Sequence, residues 1–271
     1  MQLKGQPKPS QVDVLSQEEY VRQRSRPNWR DTDFLILSDL LRLLERFAAN
    51  ARGALFDYGC GGAPYRSLFK QCERYICADL AAGPCVDRVL APNGLTAEES
   101  ATYNVVLSSQ VLEHIRDPRR YLEEVHRILK PGGQLILTTH GMFHEHGCPD
   151  DFHRWTSQGL IELLKSEGFT VVEIYKLTTE LRGAIQLLHY LVEQPQFREK
   201  SLSKYCWAIA KRFYRWCWQP LLNCVGKSLE SQGVVPSTQS ASVYVGLGAL
   251  AQKAERPVRA RAANPHLSPL G

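Results

Sequence analysis

Two rhythms of apolar spacing alternate along this chain. Leu35, Leu37, Leu40, Leu41, Leu44 and Phe47 recur at helical spacing, with Asp31 or Thr32 ahead of them as a cap. Short apolar runs follow at 54–57, 74–78 and 103–107, each of strand length, and Tyr103-Asn104-Val105-Val106-Leu107 has the continuous character of a buried parallel strand. Helices are expected between the runs, over 64–71 and over 118–129, where Leu122, Val125, Ile128 and Leu129 share a face. Lys130-Pro131-Gly132-Gly133 is a turn that ends the second of these. Strands over 134–139 and 170–175, a short one at 86–90 and a helix over 156–167 continue the alternation. Residues 178–238 break it and read as mostly helical, before a last strand at 242–249. Strands and helices in this order predict an α/β fold, a mostly parallel seven-stranded sheet flanked by helices, with a helical insertion before the last strand. The expected organisation is a flexible arm (1–30), a core (31–178), the insertion (179–238), a final core strand (239–253) and a disordered tail (254–271).

Composition adds limits rather than a function. The 271 residues are 44% apolar and 23% charged, ordinary for a soluble domain with a large core. A net charge of +5 without a long basic run gives no argument for nucleic acid. Residues 1–30 are polar, so no cleavable signal is expected, and no run of 18 apolar residues predicts a membrane span. Eight cysteines without a CxxC pair fit reduced thiols and a cytoplasmic location.

The chemistry begins where the first strand ends, at Phe56-Asp57-Tyr58-Gly59-Cys60-Gly61-Gly62. Glycines at a strand-to-helix turn let a ligand lie against backbone N–H groups. Asp79 ends the second strand 18 residues after Gly61, where a carboxylate can accept both hydroxyls of a ribose. That placement serves NAD and S-adenosylmethionine alike, and no third glycine completes a dinucleotide fingerprint.

Together with Asp79, Val111-Leu112-Glu113-His114 and Leu129-Lys130-Pro131-Gly132-Gly133, the turn resembles the class I S-adenosylmethionine-dependent methyltransferases, in particular the broad group of ubiquinone and menaquinone biosynthesis enzymes. The resemblance covers about residues 31–178 and implies a Rossmann-like methyltransferase fold with S-adenosyl-L-methionine as cofactor. It places Asp57, Gly59, Cys60 and Gly61 around the methionine part, Asp79 on the ribose and Leu80 on the adenine. Ser109 and Gln110 line the inner edge near the methyl, and Glu113 and His114 brace their loop. Three positions depart from the pattern: Ala63 stands for a glycine, Asn104 for an acid, and Leu90-Ala91-Pro92 for an acid on the adenine amino group.

The acceptor must be met elsewhere. Methyl transfer to a hydroxyl gains from in-line placement and from a base. The loop 140–156 follows the fifth strand and holds four of the eight histidines. Its segment from His146 to Thr156 resembles one that recurs in bacterial methyltransferases acting on surface glycans or lipid-linked sugars. His146, Asp151 and His153 are the candidate base or acceptor-binding residues. Asp151 with Arg154 also reads as a pair that fixes the loop, and Thr156 as a helix cap. No HExxH or paired CxxC spacing is present, so no metal is expected. The motifs of nucleic-acid methyltransferases are absent after the fourth strand, where Ser108-Ser109-Gln110-Val111 stands, so no nucleic acid is expected as a partner.

The insertion carries the remaining signal. Leu202, Cys206, Ile209, Phe213 and Trp216 share a helical face, and 201–224 holds three of the five tryptophans. Such a basic, aromatic helix is either a lid packed over the active site or sheet, or a peripheral membrane contact. Both suit a large, partly apolar acceptor. The activity read from the chain is methyl transfer to a small molecule, such as a hydroxyl of a glycan or lipid-linked precursor. A cofactor-binding scaffold without catalysis and an NAD-linked oxidoreductase are the other classes compatible with these motifs.

Overall fold

The computed structural model describes residues 16–147, 150–193 and 202–254. Residues 1–15 of the expected arm, Cys148 and Pro149 of the histidine loop, and the tail from 255 lie outside them. The described part of the arm is helical. In α1 (Gln17–Ser25), Ser16 Oγ accepts from Glu19 N at 3.2 Å, and Arg22 pairs with Glu19 and Asp31 at 2.7 Å each. No side chain of α1 is buried, so apolar periodicity says nothing of it. Asp31 is thereby drawn away from the capping role expected of it, and α2 (Phe34–Ala48) starts behind Asp33 instead.

After β1 (Gly53–Tyr58) the helix expected over 64–71 is missing, and a single 3-10 turn, Arg66–Leu68, stands there. The glycine turn consumes 59–63 and β2 (Cys72–Asp79) starts early, which leaves too few residues to nucleate a helix. Tyr65 and Phe69 instead drop into the core. The chain continues through β3 (Arg88–Val89), β4 (Tyr103–Ser109), α3 (Pro118–Ile128) and β5 (Leu129–His140). Lys130–Gly133 belongs to β5 as a bulge: the register jumps from Tyr103↔Leu129 to Val105↔Gln134, so four residues oppose Asn104. The Asn104 side-chain oxygen accepts from Lys130 Nζ at 3.0 Å and from Ala54 N at 3.1 Å. It therefore ties three strands at the spot where the resemblance expects an acid.

Next come α4 (Ser157–Ser166), capped by Thr156 as expected, β6 (Phe169–Thr179), α5 (Glu180–Glu193), α6 (Leu202–Phe213) and α7 (Gln219–Ser228). β7 (Val234–Pro236) and β8 (Tyr244–Lys253) close the described chain. The sheet has eight strands in the order β3-β2-β1-β4-β5-β8-β6-β7, not the expected seven. The extra strand is β7, which pairs with the edge of β6 from within the insertion. β3 to β5 run parallel, and β8 runs antiparallel between β5 and β6.

Period-two alternation splits the core into two layers. Leu55, Val105, Leu107 and Ile136 face α2, while Phe56, Val106, Leu135 and Leu137 face α3 and α4. Gly248 of β8 makes room for α2, since a methyl there would collide with Leu43. Arg182 of α5 binds Asp39 of α2 through two 2.8 Å contacts, with both groups buried.

The insertion does not cover the sheet with its aromatic face. Its inward contacts are mainly polar, beside Leu222 packed on Phe34, Leu35 and Ile185: Gln219 donates to Arg30 O at 2.8 Å, and Asn223 to Trp29 O at 2.9 Å and Asp31 O at 3.1 Å. Asn223 Oδ1 must then accept from His189 Nε2 at 2.9 Å, which leaves His189 Nδ1 to accept from Tyr214 Oη at 2.6 Å. Ile209, Phe213 and Trp216 point away from the protein, so the lid reading of this face fails. No described helix is long and apolar enough to cross a membrane.

Candidate active site

The strand order reverses between β1 and β4, and ligands of open α/β sheets bind at the carboxyl ends beside that point. There the chain turns through positive φ at Gly59 (80°), Gly61 (53°) and Ala63 (52°). Gly59 N and Cys60 N both donate to Ala78 O, at 2.9 and 3.0 Å, which locks the turn to β2. A Cβ on Gly59 would lie 2.6 Å from Val111 Cγ2, and one on Gly61 3.1 Å from Tyr20 Oη. Helix α1 thus lies across the turn, on the side where the missing helix would have begun.

Asp79 spans the same corner. Its carboxylate accepts from Gly61 N at 2.8 Å and from Leu80 N at 2.7 Å. Each oxygen keeps a further lone pair for a ligand hydroxyl. Leu80 beside it is exposed, an apolar surface at the rim of the corner. Asp57 is buried and accepts from Tyr75 Oη at 2.6 Å. Burial pushes its carboxyl up to about 7. Cys60 packs into the core, and its hydrogen bond with Cys77, together with burial, drives its thiol far above the ordinary range. Ser109 and Gln110 close the inner edge: Thr138 Oγ1 is 3.0 Å from Ser109 Oγ and accepts from Gln110 Nε2 at 3.2 Å.

One strand over, the histidine loop leaves β5. Glu113, fully buried, accepts from Thr139 Oγ1 at 2.8 Å and faces His140 Nε2 at 3.1 Å. Burial raises its carboxyl to about 7 and holds His140 well below the usual imidazole range. The Glu113 carbonyl clips the returning loop by accepting from Phe152 N at 2.8 Å and His153 N at 3.2 Å. Glu113, expected to brace its own loop after β4, thus also ties down the histidine loop through its carbonyl. His114 Nδ1 is 2.6 Å from Asp150 O, a carbonyl that can only accept, so Nδ1 is the donor.

Arg154 is the hub of the loop. It holds both oxygens of Asp151, at 2.6 and 2.5 Å, and donates to the carbonyls of Phe143, His144 and His153. Burial opposes the Asp151 charge, but Arg154 and the backbone N–H of His146 hold its carboxyl well below the usual range. His146 Nδ1 lies 3.2 Å from the same carboxylate. Burial lowers the His146 imidazole to about 4, against the pull of Asp151, so it is neutral at physiological pH. His146 and Asp151 are therefore brought together. His153 is not with them: its described ring contacts are with Phe152 and Trp155.

Several site residues carry no motif. His140 stacks on Phe143 at 3.8 Å, and Tyr190 of α5 closes over Phe143 and His144 at 4.8 and 4.6 Å. Asp33, just ahead of α2, is half-buried beside Tyr190, and desolvation raises its carboxyl. Glu113, His114 and His146 present ligand atoms within 4.8 Å of one another, a grouping able to hold a metal ion that no sequence spacing announces.

A doubly wound sheet with a glycine cradle at its switch point, an acid ending the next strand and a separate polar loop one strand away defines a nucleotide-cofactor fold with its second substrate alongside. The chain belongs to the methyltransferase domain family, whose match spans residues 29–174. It is similar to the ubiquinone biosynthesis O-methyltransferase of Pseudomonas paraeruginosa, with 28% identity over 129 residues, 41% of this chain and 56% of that one. The enzyme of the same name from Xanthomonas oryzae pv. oryzae is 38% identical over 104 residues, 33% of this chain and 44% of that one. The chain thus spans about half the length of the curated relatives it matches. Among solved structures, the (4+2)-cyclase SpnF aligns with a TM-score of 0.50 and 16% identity, over 84% of this chain and 86% of that one, which is a likeness of fold.

Proposed function

We propose that this chain is an enzyme that moves the methyl group of S-adenosylmethionine to a hydroxyl of a small acceptor, a glycan or lipid-linked precursor. One observation carries the reading: the carboxyl edge of one sheet carries both a glycine turn with Asp79 at its rim and a half-buried, neutral histidine whose Nδ1 lies 3.2 Å from Asp151. The positive-φ turn at Gly59 and Gly61, with the Asp79 carboxylate at its rim, supports a cofactor seated against the backbone at this corner. When bound, S-adenosylmethionine supplies an electrophilic methyl on a sulfonium. Asp57, Gly59, Cys60 and Gly61 would border its methionine part, Asp79 its ribose, Leu80 its adenine, and Ser109 and Gln110 the side nearest the methyl.

His146 is the base of this reading. Its neutral imidazole takes the proton of the acceptor hydroxyl as the methyl is transferred, and Asp151 holds the segment in place by accepting from the His146 backbone N at 2.9 Å. Asp151, already saturated by Arg154, is a positioning residue, and His153 stays outside the proton path. The family and the O-methyltransferase names of its relatives support a hydroxyl acceptor. Peripheral contact with a membrane through 201–224 fits an acceptor carried on lipid.

Calorimetry with S-adenosylhomocysteine and with NAD tests the cofactor, and NAD binding without S-adenosylhomocysteine binding overturns the reading. Methyl transfer from labelled cofactor into a cell extract tests catalysis. Cofactor binding without transfer would make the chain a scaffold. His146→Gln is expected to lower kcat about a hundredfold with the cofactor KM unchanged.

A further inference from the structure

The insertion inverts the ordinary pattern of a surface helix. In α7 the buried residues are Gln219, Pro220, Asn223 and Gly226, with Leu222 packed against Phe34, Leu35 and Ile185, while α6 and the following π-helical turn (Tyr214–Trp218) offer inward only half-buried residues such as Trp207 and Tyr214. The large apolar residues face outward. Tyr205, Ile209, Phe213, Trp216, Leu221 and Val225 are all exposed, Ile209 to 72% and Trp216 to 81%. Their spacing is three or four residues, with one step of five between Trp216 and Leu221. That step begins in the π turn, whose wider winding absorbs the extra residue and keeps the stripe on one side. Among the described residues, nothing covers this outward apolar stripe.

Charge identifies what completes it. Residues 201–228 contain five basic side chains and no acidic one. Glu193 of α5 pairs with Lys211 and Arg215, while Arg212 and Lys227 have no ion-pair partner among the described residues. Tryptophan, tyrosine and phenylalanine beside unpaired cations match the boundary between lipid headgroups and acyl chains, where aromatic bodies enter and cations stay with phosphates. We infer that the outer face of α6 to α7 is a docking surface for an anionic bilayer, with the helices lying in the membrane plane. This rests on the lipid-linked acceptor of the proposed function for its purpose, though not for its measurement.

Co-sedimentation of the full chain with vesicles tests it, using phosphatidylcholine alone and phosphatidylcholine mixed with phosphatidylglycerol. The wild type is expected to sediment with the anionic vesicles and far less at high salt. The double variant Phe213→Glu, Trp216→Glu is expected to stay in solution, with unchanged Tm and S-adenosylhomocysteine affinity. Arg212→Gln, Lys227→Gln is expected to weaken partitioning onto the anionic vesicles about fivefold per charge, without effect on neutral ones. Wild type that sediments with neither vesicle, or glutamate variants that sediment like wild type, overturns the inference. So does a wild-type dimer in sedimentation velocity that the glutamate variant dissolves, because the face then belongs to a second copy. Vesicle binding by a chain that transfers no methyl would leave this surface standing and remove only the proposed function.

Discussion

The two halves of the sheet's carboxyl edge are built on opposite plans. At the β1 corner the backbone supplies the surface, with N–H groups of 59–61 tied to Ala78 and Asp79 and glycines that let Val111 and Tyr20 approach the turn closely. At the loop after β5 side chains supply everything: Arg154 alone binds Asp151 and three loop carbonyls. Each half also hides an acid pushed up to about 7 by burial, Asp57 beside Tyr75 and Glu113 beside Thr139. The buried acids are alike. What differs is the material around them, and with it how each half fails.

The largest effect is expected from Arg154→Ala. It leaves Asp151, only 3% exposed, as a buried carboxylate without its cation, at a cost of about 4 kcal/mol. Thermal unfolding should show the loss and acceptor methylation should vanish, while S-adenosylhomocysteine affinity stays within about twofold. An equal fall in cofactor affinity would mean that the two halves are one unit. Next in size is the pH dependence of Glu113. Its folded carboxyl binds a proton more tightly than the ordinary value of 4.5, so its contribution is complete below that pH and is lost as pH rises to about 7. Glu113→Gln should therefore gain about 3 kcal/mol relative to wild type between pH 4.5 and 8, read from denaturant midpoints. Asp57→Asn should tilt the profile in the same direction. A flat difference profile for either would mean that its carboxyl is ionised in the folded protein.

The corner was legible because its plan is local. Asp57, Gly59, Gly61 and Asp79 lie at strand ends, and apolar runs locate strand ends well. What escaped notice there is α1, since the nine residues of this helix bury no side chain and leave no apolar period. The loop was half legible. His146, Asp151 and Arg154 stand within one short segment, and their pairing could be anticipated from it. Glu113, His140, Tyr190 and Asp33 come from four other elements, and only the fold makes them neighbours. The insertion stayed open between two readings for another reason. Periodicity showed an apolar face on 202–216 but could not tell which way the face turns, because the polar anchors Gln219 and Asn223 decide that from the other side.

Gly59→Ala attacks the backbone plan directly. Its φ of 80° carries roughly 1–2 kcal/mol of strain for a residue with a Cβ, and that Cβ would meet Val111. S-adenosylhomocysteine affinity should fall about tenfold in calorimetry, the mirror image of Arg154→Ala. An unchanged affinity would detach the cofactor from the turn.

His153→Gln should produce the smallest change, within about 0.5 kcal/mol in stability and within about twofold in methylation rate. It belongs to the histidine-rich segment by sequence and to the Trp155 side of the loop by structure, with its own N–H held by the Glu113 carbonyl. Glutamine keeps that backbone bond and offers a polar side chain of similar reach. The rate measured beside His146→Gln is the sharper readout, because both variants remove one imidazole from the same loop. A loss at His153 as large as that at His146 would move the acceptor to the Trp155 side. The loop would then have two working faces in place of the single one formed by His146 and Asp151.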